Sequence, residues 1–374
     1  MKIGIMLRHI EERGGIQVYT VNILKALLKI DRKNEYLMIY KSTDLLGRYS
    51  SFPNVSETVL PGTGKLWWDQ VSIPRLAKAH NLDIVYNPKL SIPLFTTAKT
   101  ILVMHGAEQY AVPECFQWHD RIYFSVANRL YVRRASAIIA MTNIGKHDIA
   151  RYMGASLEKI HVIPEAYNEL CLGRDLEGAR EAKAKYNLPE RFILFVGGLT
   201  PLKNFGNLLR AFDRIREQIP QKLVIVGFSR WKVEKDFKLL DDLGLRDSVI
   251  FPGFIPDEDI PKFYSLADLF VLPSLYEGFG IPVLEAMACG CPVVTTKTGC
   301  SPEVAGGGAV LVDPYNPEEM ARGMLAVLSD EALRADLVRK GYLRAKEFSW
   351  EKCARETLEL FESLAMDGGP TFRS

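Results

Sequence analysis

Short apolar runs recur along the chain, each closed by a small or polar loop and followed by apolar positions at helical spacing. In the first half they fall at 2–7, 36–40, 83–86, 100–104 and 137–141. In the second half they fall at 192–196, 222–226, 249–251 and 269–272. Runs without polar interruption suit strands buried on both faces of a parallel sheet, where helices cover each side. Between them, Ile16, Tyr19, Ile23, Leu24, Leu27 and Leu28 keep a 3.6-residue period after Gly14-Gly15. Further helices are predicted from Asn143, from Phe205, over 231–243, over 260–266 and over 350–364. Residues 41–66 carry too little pattern to assign. Two half-chains of alternating strand and helix predict an α/β protein with two doubly wound, Rossmann-like domains facing across a cleft.

The boundary is set by composition. The first domain spans 1–168, and a polar, charged crossover over 165–190 leads into the second, 169–349. The 374-residue length exceeds the usual single-domain size, and 48% hydrophobic residues is ordinary for a globular protein. No apolar run is long enough for a membrane span, and the start MKIGIMLRHI reads as a strand rather than a leader. Six cysteines at irregular spacing give neither a disulfide framework nor a zinc motif. They read as buried small hydrophobes in a reducing cytoplasm.

The densest chemistry lies in PSLYEGFGIPVLEAMACGCPVV, residues 273–294. The run 269–272 ends in a loop with Glu277, Gly278 and Gly280. Helical pattern starts at Pro282 and closes at Gly290. Strand, glycine loop and helix N-terminus place backbone N–H groups and a dipole where a phosphate can sit. Glu277 and Glu285 bracket that place, and carboxylates beside an anion site suit sugar hydroxyls. The plainer alternative is an ordinary turn with Glu285 in a salt bridge. Gly14-Gly15 admits the same two readings, close backbone approach to a ligand or a tight βα turn.

This stretch resembles the signature of retaining glycosyltransferases of family 4, which have the two-domain GT-B fold. The resemblance runs from Gly14 to about Phe348 and is dense only in the second half. It implies a nucleotide-sugar donor held mainly by the C-terminal domain and an acceptor held by the N-terminal one. It also implies that the final helix, about 350–374, crosses back onto the N-terminal domain. Glu277 then contacts the donor sugar, with Gly278, Phe279, Gly280 and Ile281 beside it, and Glu285 holds the ribose. Gly14-Gly15 is implied as a nucleotide-diphosphate loop, Phe254 and Ile255 as the base site, and His105 as a group near donor sugar and acceptor. The donor-phosphate loop is implied at 197–204, where Lys203 fits the expected lysine. Gly198 stands where the family has an Arg, and Gly106 where it has an Asp; Arg13 is offered as a replacement cation.

Asp257-Glu258-Asp259 looks like an Asp-x-Asp metal motif but precedes a helix, so a helix cap is the expectation and no metal is assigned. Residues 298–304 read as a further loop at the ligand edge. Residues 1–168 carry 21 Lys+Arg against 14 Asp+Glu, and the remainder 26 against 31. A basic first half suits an anionic acceptor or membrane surface. Basic and aromatic residues interleave over 121–134, which fits either a helix covering the sheet or one lying on an anionic bilayer.

The expected activity is metal-independent transfer, with retention, of a sugar from a UDP- or GDP-sugar to a sugar, lipid-linked or small-molecule acceptor. No cofactor and no nucleic-acid partner are expected, and the location is cytoplasmic, at the inner face of the membrane if the bilayer reading holds. The competing classes are a nucleotide-sugar epimerase or hydrolase on the same scaffold and a non-catalytic sugar-nucleotide binding module.

Overall fold

A computed structural model describes residues 1–11, 14–62, 64–171, 173, 175–227 and 233–366. Arg13 and the first residues of the helix expected over 231–243 lie outside them. The chain forms two compact units. One comprises Met1–Tyr110, Phe116–Glu165 and the chain from Ser349; the other comprises Ala111–Cys115 and Ala166–Phe348.

The first unit is built on seven parallel strands: β1 Lys2–Met6, β2 Glu35–Tyr40, β3 Val55–Val59, β4 Ile84–Asn87, β5 Lys99–Met104, β6 Ala137–Ala140 and β7 Ile160–Val162. Their order is β3-β2-β1-β4-β5-β6-β7. Helices α1 Gly15–Ile30, α2 Ile73–Ala79, α3 Trp118–Arg134 and α4 Asn143–Met153 flank the sheet. Register places Val85 beside Gly4 and Leu102 beside Asn87, so Met6, Leu37, Val85, Leu102 and Met104 share one face. That face packs against Trp68, Ile73 and Ala77 toward β1 and against Tyr131, Val132, Ile149 and Met153 toward β5 and β6. The opposite face carries Tyr86, whose hydroxyl lies 2.7 Å from that of Tyr19 on α1 and whose ring meets Phe361 edge-on. β3 falls in the stretch without pattern, 41–66. It is a half-buried edge strand, so it lacks the apolar run of its neighbours.

The second unit has six parallel strands: β8 Phe192–Val196, β9 Lys222–Val226, β10 Val249–Ile250, β11 Leu269–Leu272, β12 Val293–Thr296 and β13 Ala309–Val312. Their order is β10-β9-β8-β11-β12-β13. Its helices are α5 Leu176–Lys185, α6 Phe205–Ile215, α7 Glu234–Asp242, α8 Ile260–Leu266, α9 Ile281–Ala288, α10 Ser301–Ala305, α11 Pro317–Ser329 and α12 Glu331–Ala345. The final helix, α13 Trp350–Met366, belongs to the first unit and packs on α1, burying Trp350, Ala354, Leu360 and Phe361.

One local expectation gains detail and two are corrected. The polar crossover contains α5, in which the small Ala179 and Ala182 are the buried positions among the described side chains. Residues 298–304 are not all loop, because Ser301 and Pro302 start α10. Asp259 occupies the position before α8 but makes no capping hydrogen bond. Its carboxylate instead accepts from Lys185 (2.8 Å), Lys262 (2.6 Å) and Tyr186, tying α5 to α8. Those partners hold it well below the usual carboxylate range.

Candidate active site

Open α/β sheets bind ligands outside the carboxyl ends of strands where the order reverses. In the second unit β8 has β9 on one side and β11 on the other, so the reversal lies between β8 and β11. Lys203 follows β8 and Glu277 follows β11. Their side chains meet there, Lys203 Nζ lying 2.6 Å from Glu277 Oε1. Both are largely enclosed, with side-chain exposures of 20% and 11%. Ser274 Oγ donates to the same carboxylate oxygen.

The two loops are fastened by their backbones. Leu275 N donates to Leu202 O at 2.9 Å. Asn204 adopts the left-handed conformation (φ 57°), which Asn tolerates better than most residues. Its amide donates to Pro273 O (3.0 Å) and Pro314 O (2.7 Å), joining the loops after β8, β11 and β13. Behind Glu277 stands Gly299, at φ +56°. A Cβ there would lie 2.9 Å from both N and O of Glu277. Cys300 N donates to Glu277 O (3.1 Å), and Thr298 Oγ1 to Leu275 O (2.9 Å).

Gly280 opens α9 at φ +95°, a conformation that favours glycine. The side chains of Phe279 and Ile281 are buried, Phe279 against Phe348. These two positions therefore offer a ligand their backbone and not their side chains. On α9, Glu285 accepts from Tyr264 Oη at 3.0 Å and from the Asn168 backbone. Burial outweighs those bonds and, with a smaller push from Asp257, drives its pKa up to about 7. Phe254 and Ile255 lie after β10, two strands from β8. Phe254 is exposed and Ile255 buried. Gly198 follows β8 directly.

In the first unit the order reverses between β1 and β4. Gly14, at φ +142°, precedes α1, and a Cβ added at Gly15 would meet nothing within 4 Å. His105 follows β5. Its Nε2 lies 2.8 Å from Pro88 O, where only a protonated nitrogen can donate to the carbonyl. Its ring meets Tyr19 edge-on, and its Nδ1 lies 4.0 Å from a Glu165 carboxylate oxygen. Burial lowers its pKa to about 4, so the imidazole is neutral at physiological pH and the Glu165 contact is not an ion pair.

The structure thus joins Lys203 to Glu277 and sets Gly280 and Glu285 on the following helix. Ser274, Asn204, Tyr264 and Gly299 were not singled out by sequence. Only Asn204, a turn-forming residue just before a helical pattern, carried a readable signal. Among the described residues no three His, Cys, Asp or Glu side chains converge as metal ligands would, and the six cysteines are buried thiols rather than disulfides. Among them, no helix is long and apolar enough to cross a membrane.

Residues 179–344 match the family described as glycosyl transferases group 1, and residues 13–169 match glycosyltransferase family 4. The chain is 30% identical to the D-inositol 3-phosphate glycosyltransferase of Salinispora arenicola, over 96% of this chain and 89% of that protein. The chain belongs to glycosyltransferase family 4. It is also 26% identical to the O-antigen chain mannosyltransferase B of Escherichia coli, over 94% of this chain and 96% of that one. Among solved structures, Anabaena HepE in complex with UDP-glucose superposes with a TM-score of 0.79 at 22% identity, covering 97% of this chain and all of that one (100%). That likeness, with the two parallel sheets, makes the family member's architecture GT-B.

Proposed function

We propose that this family 4 enzyme moves a hexose from a UDP- or GDP-sugar to a hydroxyl of a sugar, lipid-linked or small-molecule acceptor, with retention of configuration and without a metal. The observation that carries the reading is the enclosed Lys203–Glu277 pair at the strand-order reversal of the second unit. A carboxylate accepts hydrogen bonds from sugar hydroxyls, and an ammonium donates to phosphate oxygens. Paired in the free protein, they are oriented before the donor arrives. Negative charge grows on the diphosphate as the glycosidic bond breaks, so Lys203 interacts more strongly in the transition state than in the ground state. The backbone around Gly280 and the start of α9 add oriented N–H groups.

Glu285, with a pKa near neutrality, both donates to and accepts from a ribose diol. The Glu277 carboxylate, whose Oε1 accepts from Lys203 and Ser274, is assigned to hydroxyls of the donor sugar and not to covalent catalysis. The favoured route is attack of the acceptor on the face the diphosphate leaves, with the departing phosphate taking the acceptor's proton. His105, neutral and on the first unit, is assigned to a place near the donor sugar and the acceptor, the Gly14-Gly15 turn to the nucleotide diphosphate, and Phe254 with the Ile255 backbone to the base. The mannosyltransferase named among the relatives puts GDP-mannose first in a donor panel.

The test incubates the full chain with UDP- and GDP-sugars, with and without sugar and lipid-linked acceptors, in buffer containing EDTA. Transfer with an unchanged anomeric configuration is the expected result. Isomerised donor would indicate an epimerase, free sugar without transfer a hydrolase, and binding without turnover a module. Activity lost in EDTA and restored by magnesium or manganese would overturn metal independence.

A further inference from the structure

We infer that the outward face of α3 docks the first unit on an anionic lipid bilayer. A helix that merely covers a sheet turns its apolar stripe inward. In α3 the inward face is Asn128, Tyr131 and Val132, while Trp118, Ile122, Val126 and Leu130 remain 72%, 58%, 58% and 45% exposed. Spaced by four, these residues form one stripe at about 40° drift per step, opposite the buried face.

More apolar surface adjoins it. Lys65 Nζ stands 5.1 Å from the centre of the Tyr123 ring, which brings the exposed Leu66 and Trp67 beside the helix. Arg134 Nη2 donates to Leu94 O at 3.2 Å, which brings the exposed Phe95 beside its end. Exposed apolar side chains gathered on one side of a unit in this way mark an interaction site.

Charge selects the occupant. Arg121, Arg129 and Arg133 are exposed on α3, and its one acidic residue, Asp120, lies 3.7 Å from His119. Apolar side chains fringed by guanidinium groups match the boundary between acyl chains and anionic headgroups. A second copy is disfavoured, because a two-fold contact through this face would set its arginines against their own equivalents.

The test is flotation of the full chain with extruded vesicles of phosphatidylcholine alone or mixed with phosphatidylglycerol, read without any sugar substrate. The wild type is expected to float with the anionic vesicles and to be released by high salt. The double variant Ile122→Ser/Val126→Ser is expected to partition on the order of tenfold less, with an unchanged melting curve. Arg129→Glu/Arg133→Glu is expected to lose the preference for anionic lipid. No flotation, or flotation that both double variants retain, overturns the proposal. So does a wild-type dimer in sedimentation that Ile122→Ser/Val126→Ser converts to monomer, which would make this face a protein interface.

Discussion

At the scale of single residues, the site depends on two groups whose surroundings decide their chemistry. Glu285 holds its proton up to about pH 7 in the folded chain, against an ordinary value of 4.5. Between those values the native state binds a proton that the unfolded state has released, so this group's contribution to stability declines as pH rises through that window. Glu285→Gln should therefore flatten the fall in stability between about pH 4.5 and pH 7. Denaturant titrations at both ends check this, and an unchanged slope would refute it. Glu285→Ala, which removes the ribose partner altogether, should weaken donor binding by about tenfold in calorimetry, the loss of roughly one hydrogen bond. Gly299 supports Glu277 from behind. Gly299→Ala adds a Cβ 2.9 Å from the Glu277 backbone at a positive φ. It should lower stability by about 1–3 kcal/mol and reduce kcat. Wild-type values of both would show that the loop is not held there. Glu277, Glu285 and Lys203 were legible because their spacing matches a family signature. Gly299 and Tyr264 were not, because they act by approach in space from other strands and helices.

Among elements, the buried strands were the most legible. Phe192–Val196 and Leu269–Leu272 are wholly apolar because both faces of a parallel sheet are covered. Val55–Val59 was hidden because an edge strand keeps polar residues on its half-exposed side. The helix Leu176–Lys185 was hidden by its charged sequence, in which the small Ala179 and Ala182 are buried. The last helix shows what one element contributes. It covers α1, and its Trp350 and Phe361 rings meet Tyr19 and Tyr86. Ending the chain after Phe348 would expose that face of the first sheet. Several buried large side chains at about 1.5–3 kcal/mol each approach the whole stability of a domain. The truncated protein should show a cooperative melt for the second unit and none for the first. Two native-like transitions would contradict this.

For the whole molecule, the two sheets share one plan, each with a reversal of strand order and its glycine turns and polar side chains at the carboxyl ends. Sequence pattern alone carried this plan, since alternating buried strands and helices leave few other topologies. It could not carry the pairing of Lys203 with Glu277, which joins residues in the loops after β8 and β11, far apart in the chain. That pair makes the central claim testable. Lys203→Ala removes the ammonium proposed to meet the leaving diphosphate and also takes from the enclosed Glu277 carboxylate its cationic partner, leaving Ser274 donating to it. The measurement is kcat for sugar transfer beside melting temperature. A fall in kcat on the order of 10²–10³, with a folded protein that melts a few degrees lower, is the predicted result. A kcat within about threefold of wild type, under about 1 kcal/mol of barrier, would contradict it.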